Sequence, residues 1–205
     1  QGGDVSGSPK AAPIDEVAPD PSAAARLSTG ISEFDRVLGG GGDGMGPNMG
    51  LVPGSAVLIG GEPGIGKSTL LMQAAAGWAS VVDPKKGPAW SRKVLYVTSE
   101  ESAEQVQQRA ARLGASGEPN LYVLADTNLA RIVEQVRQLQ PAVLIIDSIQ
   151  MIYKADLDSS PGSISQLRRC AAELVYLAKA SGPAVLLVGH VTKDGQPAGP
   201  RVLEH

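Results

Sequence analysis

Residues 55–71 read SAVLIGGEPGIGKSTLL, an apolar run, then a glycine-rich turn, then residues that favour a helix. That order predicts a strand, a loop and a helix in direct succession. Within it, Gly61-x4-Gly66-Lys67-Ser68 has the spacing of a phosphate-binding loop. Glycines there let backbone N–H groups turn inward around a phosphate, the helix N-terminus adds a positive dipole, and Lys67 reaches the β- and γ-oxygens. Gly61, Glu62, Pro63, Gly64, Ile65, Gly66, Lys67, Ser68 and Thr69 are the candidate nucleotide contacts. Lys67 is also a catalytic candidate, and the Ser68 hydroxyl is a candidate ligand of Mg2+. ATP and Mg2+ are the expected cofactors.

Downstream, the pattern alternates between two periods. Apolar runs at 93–98, 121–124, 142–147 and 184–189 predict strands. Helical spacing predicts helices over 66–79, 103–113, 129–139 and 163–180. Ser102-x-x-Gln105 is a candidate capping box. Gly182-Pro183 suits a left-handed cap followed by a residue that cannot continue a helix. Upstream, Ile31, Phe34 and Leu38 mark a short helix, with Ser28 or Thr29 to cap it and Gly39 to stop it. Apolar strands separated by helices predict an α/β fold with a mostly parallel central sheet flanked by helices on both faces. Ligands of such sheets lie beyond the C-terminal ends of the strands.

Those ends carry the remaining candidates. Asp147 closes AVLIID and is suited to hold Mg2+ through water, although a strand-ending aspartate also serves as a turn former or cap. Glu100 and Glu101 follow KVLYVT, where a carboxylate can orient an attacking water or, alternatively, favour the next helix start. The expected division is Glu100 for the water and Glu101 for the helix start or a neighbouring subunit. His190 follows Gly189, either as a γ-phosphate contact or as an ordinary loop histidine.

The bulk composition narrows the classes. In 205 residues the net charge is −3 and aromatics make up 3%, so no basic footprint and no stacking platform stand out. Two loops at the same edge of the sheet, 148–162 and 191–205, lack a nucleotide role; Lys154, Arg168, Arg169, Lys193 and Arg201 are the local positive charges, and acidic neighbours make a solvated loop the plainer reading. A single cysteine, Cys170, allows neither an intrachain disulfide nor a multi-cysteine zinc site, so no zinc is expected. The sequence contains no run of the ~20 apolar residues that a membrane span needs, which predicts a cytoplasmic protein with no membrane partner. Residues 1–25 read as a disordered tail or linker, residues 26–205 as one domain, and the glycine-rich stretch 39–50 as a flexible loop.

Taken together, RLSTGISEFDRVLGGG, LVPGSAVLIGGEPGIGKSTLL, VLYVTSEES, IIDSIQ and LVGHVTKDGQPAGPRVLEH resemble the ATPase domain of the bacterial RadA (Sms) DNA-repair family, a branch of the RecA-like ATPases. The resemblance covers about residues 26–205. It implies a RecA-like phosphate-loop fold and a DnaB-helicase-like hexameric ring. Such a ring binds single-stranded DNA and uses ATP to drive branch migration, possible partners including a recombinase. It also implies Lys67, Ser68 and Thr69 as Walker A residues, Asp147 as the Walker B aspartate, Glu100 as the catalytic glutamate and His190 as the γ-phosphate sensor. The two basic loops match the family's DNA-binding loops. The family's four-cysteine zinc finger, its Lys-Asn-Arg-Phe-Gly motif and its Lon-protease-like domain have no counterpart here, which predicts a fragment, and Gly41 to Gly50 reads as an insertion. Two alternatives stay open: a KaiC-like signalling ATPase or autokinase, and a module that binds DNA only with ATP, without efficient turnover.

Overall fold

The computed structural model describes residues 11, 13–16, 25–40, 49–81 and 92–190. Five strands, β1 (Ala56–Gly61), β2 (Val94–Thr98), β3 (Leu121–Ala125), β4 (Val143–Asp147) and β5 (Ala184–His190), form one sheet in the order β1-β5-β4-β2-β3. Every neighbouring pair is parallel. The helices are α1 (Ser32–Leu38), α2 (Lys67–Ala79), α3 (Ala103–Arg112), α4 (Leu129–Leu139) and α5 (Ile164–Ser181). The strands and the four longer helices thus fall where the hydrophobic period put them, and the fold is α/β with helices on both faces.

The order of the strands explains the two faces. The chain runs from β1 past its neighbours to β2 and β3, then reverses to β4 and β5. Because crossovers keep one hand, helices before and after the reversal cover opposite sides. Alternate residues of each strand feed the two layers. Val94, Tyr96, Val143, Ile145, Leu186 and Val188 lie in one core with Leu71, Met72 and Trp78 of α2 and Val106 of α3. Leu95, Val97, Leu144, Ile146, Val185 and Leu187 lie in the other with Ile132 and Val136 of α4 and Leu174 of α5.

Helix ends follow the sequence in three cases, Gly39 closing α1 with φ 102° among them, and depart from it in one. Ser102 and Gln105 form the capping box of α3, and Gly182 ends α5 with φ 85°. The expected Ser28 or Thr29 cap on α1 is not made: Ile31 holds the N-cap position without a side-chain bond. Both hydroxyls instead serve Asp35, a carboxylate only 3% exposed. Asp35 accepts from the Thr29 hydroxyl at 2.8 Å, the Ser28 hydroxyl at 2.6 Å and the backbone N–H groups of Thr29 and Gly30. A buried acid with four donors outcompetes a cap, because leaving its charge unpaired costs more than leaving a helix N–H to solvent.

That clasp is docked on α2. Leu27 bridges Leu51 in antiparallel fashion, and the buried Trp78 donates Nε1–H to the Leu27 carbonyl at 2.9 Å. Gly77 must lack a side chain, since a Cβ would come within 1.9 Å of the Thr29 carbonyl oxygen. Gly50 N–H donates to Gly39 O at 3.0 Å, so the two ends of the glycine-rich stretch meet. The rest of that stretch, most of residues 1–25, and residues 191–205 with Lys193 and Arg201 lie outside the described residues. No helix of the described residues is long and apolar enough to cross a membrane.

Candidate active site

Parallel register brings distant residues to one edge. Thr98 pairs with Asp147 across β2 and β4, and Gly61 pairs with His190 across β1 and β5. Beyond these ends lies a cleft of about 330 Å³.

One wall is the loop from β1 into α2. Gly64 and Gly66 have φ of 81° and 97°, and nothing stands within 4 Å of where a Cβ would be. Glycine is therefore required there by backbone conformation rather than by space. Gly66 is the N-cap of α2 and supplies no side-chain cap, so the first-turn N–H groups are left without a capping side chain at the positive end of the helix, whose first residues line the cleft. Lys67 is 8% exposed and curls over the loop, donating to the Gly61 carbonyl at 2.7 Å and the Glu62 carbonyl at 2.8 Å. Pro63, Ser68 and Thr69 complete this wall. Ile65 is 63% exposed and does not line the cleft.

The facing wall is built on carboxylates. Glu100 Oε1 accepts from the Ser148 hydroxyl at 2.5 Å and lies 2.9 Å from His190 Nε2. Burial alone would raise the Glu100 pKa, but the Ser148 and His190 hydrogen bonds, with the electrostatic influence of His190 and Lys67, outweigh it and hold the carboxyl below the usual range. Ser148, fully buried, is itself fixed by Ser99: its N–H donates to Ser99 Oγ at 2.8 Å, and Ser99 Oγ donates back to the Ser148 carbonyl at 3.0 Å. Asp147 Oδ2 accepts from the Tyr96 hydroxyl.

Glu101 behaves differently from its neighbour. Its carboxylate is 2.5 Å from Arg109 Nη1, and its backbone N–H and carbonyl both engage the Thr98 hydroxyl. The acid in the first turn of α3 is Glu104, so Glu101 is not the residue that meets the helix start.

This donor set fits a magnesium nucleotide. An N-terminal helix turn with Ser68, a lysine and two left-handed glycines face two carboxylates, Glu100 and Asp147, across one cleft. A family model described as an AAA domain matches residues 48–196. The chain belongs to the AAA domain family. Within it, the match to RadA read from the motifs is borne out. Over 180 residues, 88% of the chain, identity is 50% to DNA repair protein RadA of Escherichia coli, 52% to that of Pseudomonas aeruginosa and 46% to that of Bacillus subtilis. Each alignment covers 35% of the relative, so the chain spans about a third of the length of these curated relatives.

Of the residues expected to meet DNA, Lys154, Arg168 and Arg169 do not line the cleft. Lys154 pairs with Glu173 at 2.5 Å and faces Asp156 at 3.9 Å. Its segment is tied down by Gln166, which accepts from Lys154 N–H and donates to the Lys154 and Ser159 carbonyls. Arg168 and Arg169 are exposed on α5 and border a separate surface depression with Leu157 and Ile164. Tyr96, Thr98, Arg109 and Ser148 are site residues that motif reading missed. Their signal in the sequence is slight, a tyrosine and a threonine on one face of an aliphatic strand, because their partners are set by register and not by spacing.

Proposed function

We propose that this chain is the ATP-binding and ATP-hydrolysing part of a DNA-repair protein. The observation that carries the reading is the hydrogen-bonded pair of Glu100 and His190 facing a phosphate loop with Lys67 and Ser68. The loop amides, Lys67 and Thr69 bind the triphosphate, and Ser68 and Asp147 hold Mg2+, Asp147 through water. The bound cation supplies charge neutralisation of the phosphate oxygens. Glu100 takes a proton from the attacking water. Its Oε1 is occupied by Ser148 and His190, which leaves Oε2 for that proton. His190, bridging Glu100 and the end of β5, senses the γ-phosphate. Its carbonyl accepts from Gln150 at 3.4 Å, which links the sensor to the segment after β4.

The similarity to RadA proteins extends the reading to single-stranded DNA, bound in a hexameric ring and moved during branch migration. The exposed Arg168 and Arg169, with Lys193 and Arg201, are the residues proposed to meet phosphates. Lys154 is proposed to contribute only after release from Glu173. The test is ATP turnover and DNA affinity measured together, with ATP, ADP or no nucleotide, with and without single-stranded DNA. Turnover that DNA stimulates is expected. Nucleotide-gated DNA binding without turnover, or transfer of phosphate to the protein itself, would refute the motor.

A further inference from the structure

Tyr96 is completely buried beneath the cleft, in a strand whose other residues are Val94, Leu95, Val97 and Thr98. Phenylalanine would fill nearly the same space without bringing a hydroxyl that needs a partner in an apolar layer. The hydroxyl donates to Asp147 Oδ2 at 2.5 Å, reaching along β4 beyond Ile145, the register partner of Tyr96. From α3, Arg109 Nη2 lies 3.5 Å from the same phenol oxygen, and Arg109 Nη1 lies 2.5 Å from Glu101 Oε2.

Arg109 is the donor at the centre of this row, to Glu101 on one side and, through the phenol, toward Asp147 on the other. The guanidinium donates to the phenol oxygen, which strengthens the phenol as a donor to the carboxylate. Glu101 offsets the guanidinium charge and holds it in place. The row therefore ties both the second glutamate and α3 to Asp147.

We propose that Tyr96, backed by the Arg109–Glu101 pair, is a positioning residue for Asp147, holding Oδ2 so that Oδ1 is the oxygen left for a divalent cation. This rests on the cleft being a magnesium-nucleotide site. It gives Glu101 a structural task distinct from the water-activating one of Glu100. It also makes Arg109 a residue whose loss is felt at the metal side of the cleft.

Two measurements on the full chain test it. In the first, a fluorescent ATP analogue is bound while Mg2+ is titrated. Tyr96→Phe should raise the Mg2+ midpoint about tenfold, the lower end of what losing a ligand-orienting partner costs a metal site. Affinity in EDTA should stay within about twofold, since the phosphate loop is untouched. A midpoint within about twofold of wild type, or an equal loss in EDTA, would overturn the proposal. In the second, Tyr96→Phe and Asp147→Ala are combined in a thermal-unfolding cycle without nucleotide. The double variant should shift the midpoint by less than the sum of the singles, and additive shifts would overturn the proposal. Wild type that binds no nucleotide would refute the function proposed above, while the unfolding cycle still decides the Tyr96–Asp147 link.

Discussion

Glu100→Gln is the sharpest perturbation of the proposed chemistry, because glutamine keeps the shape and one acceptor. Its carbonyl oxygen can still accept from Ser148 and face His190, as Glu100 Oε1 does. What changes is the other position, where an oxygen able to take a proton becomes an NH2 group that can only donate. Loss of a general base costs about 10²–10⁴ in rate, or about 3–5 kcal/mol of barrier at ~1.4 kcal/mol per decade. ATP affinity should hold within about threefold, since Lys67 and the loop amides are untouched. Glu101→Gln is the internal control. The amide oxygen still accepts from Arg109, and only an ion pair with one partly exposed member is weakened, worth about 1 kcal/mol at most. At saturating Mg2+ its kcat should therefore fall no more than about fivefold. The assay is steady-state phosphate release beside equilibrium nucleotide binding for both variants. Normal turnover in Glu100→Gln, or equal loss in the two, would refute the division of labour.

Asp35→Ala strands the buried Thr29 N–H and hydroxyl, at about 1–3 kcal/mol each, so Tm should fall by about 4–24 °C. Calorimetry showing a change under about 2 °C would sink the clasp. Glu100 has its folded pKa held, against burial, below the usual carboxylate range, chiefly by the Ser148 and His190 hydrogen bonds, so its share of stability is present at neutral pH and is lost as pH falls through the folded value. The acid limb of ATPase activity should lie below the usual carboxylate range and move upward in Ser148→Ala; an unmoved limb would contradict the Ser148 contact. Cys170 is fully buried, and burial, then Glu173, pushes its thiol up to about 11. Native protein should therefore resist alkylation at pH 8 while denatured protein reacts, and equal rates would contradict the packing.

Much of this fold was legible in one dimension because its signals are local. Hydrophobic period, the phosphate-loop spacing, the Ser102–Gln105 box and the Gly182 stop each involve residues within a few positions of one another. Parallel strands buried on both faces leave unbroken apolar runs, and helices between them leave a different period. The rule that ligands sit past strand C-termini then pointed to Glu100, Asp147 and His190 before any contact was known.

What a local pattern could not convey is which of two adjacent glutamates does what. Glu100 and Glu101 are alike in type and neighbourhood, but successive side chains past a strand end point different ways. One meets Ser148 and His190, 48 and 90 positions away, and the other meets Arg109 on α3. Asp35 shows the same limit from the other side. Ser28 and Thr29, lying ahead of the Ile31, Phe34 and Leu38 period, suggested a helix cap, whereas the buried carboxylate took both hydroxyls. The sequence by itself determined the order of strands and helices and the phosphate loop, since these depend on neighbours in the chain. Only the tertiary structure decided the partners of each charge, because burial and register choose them, and neither is a property of a single segment.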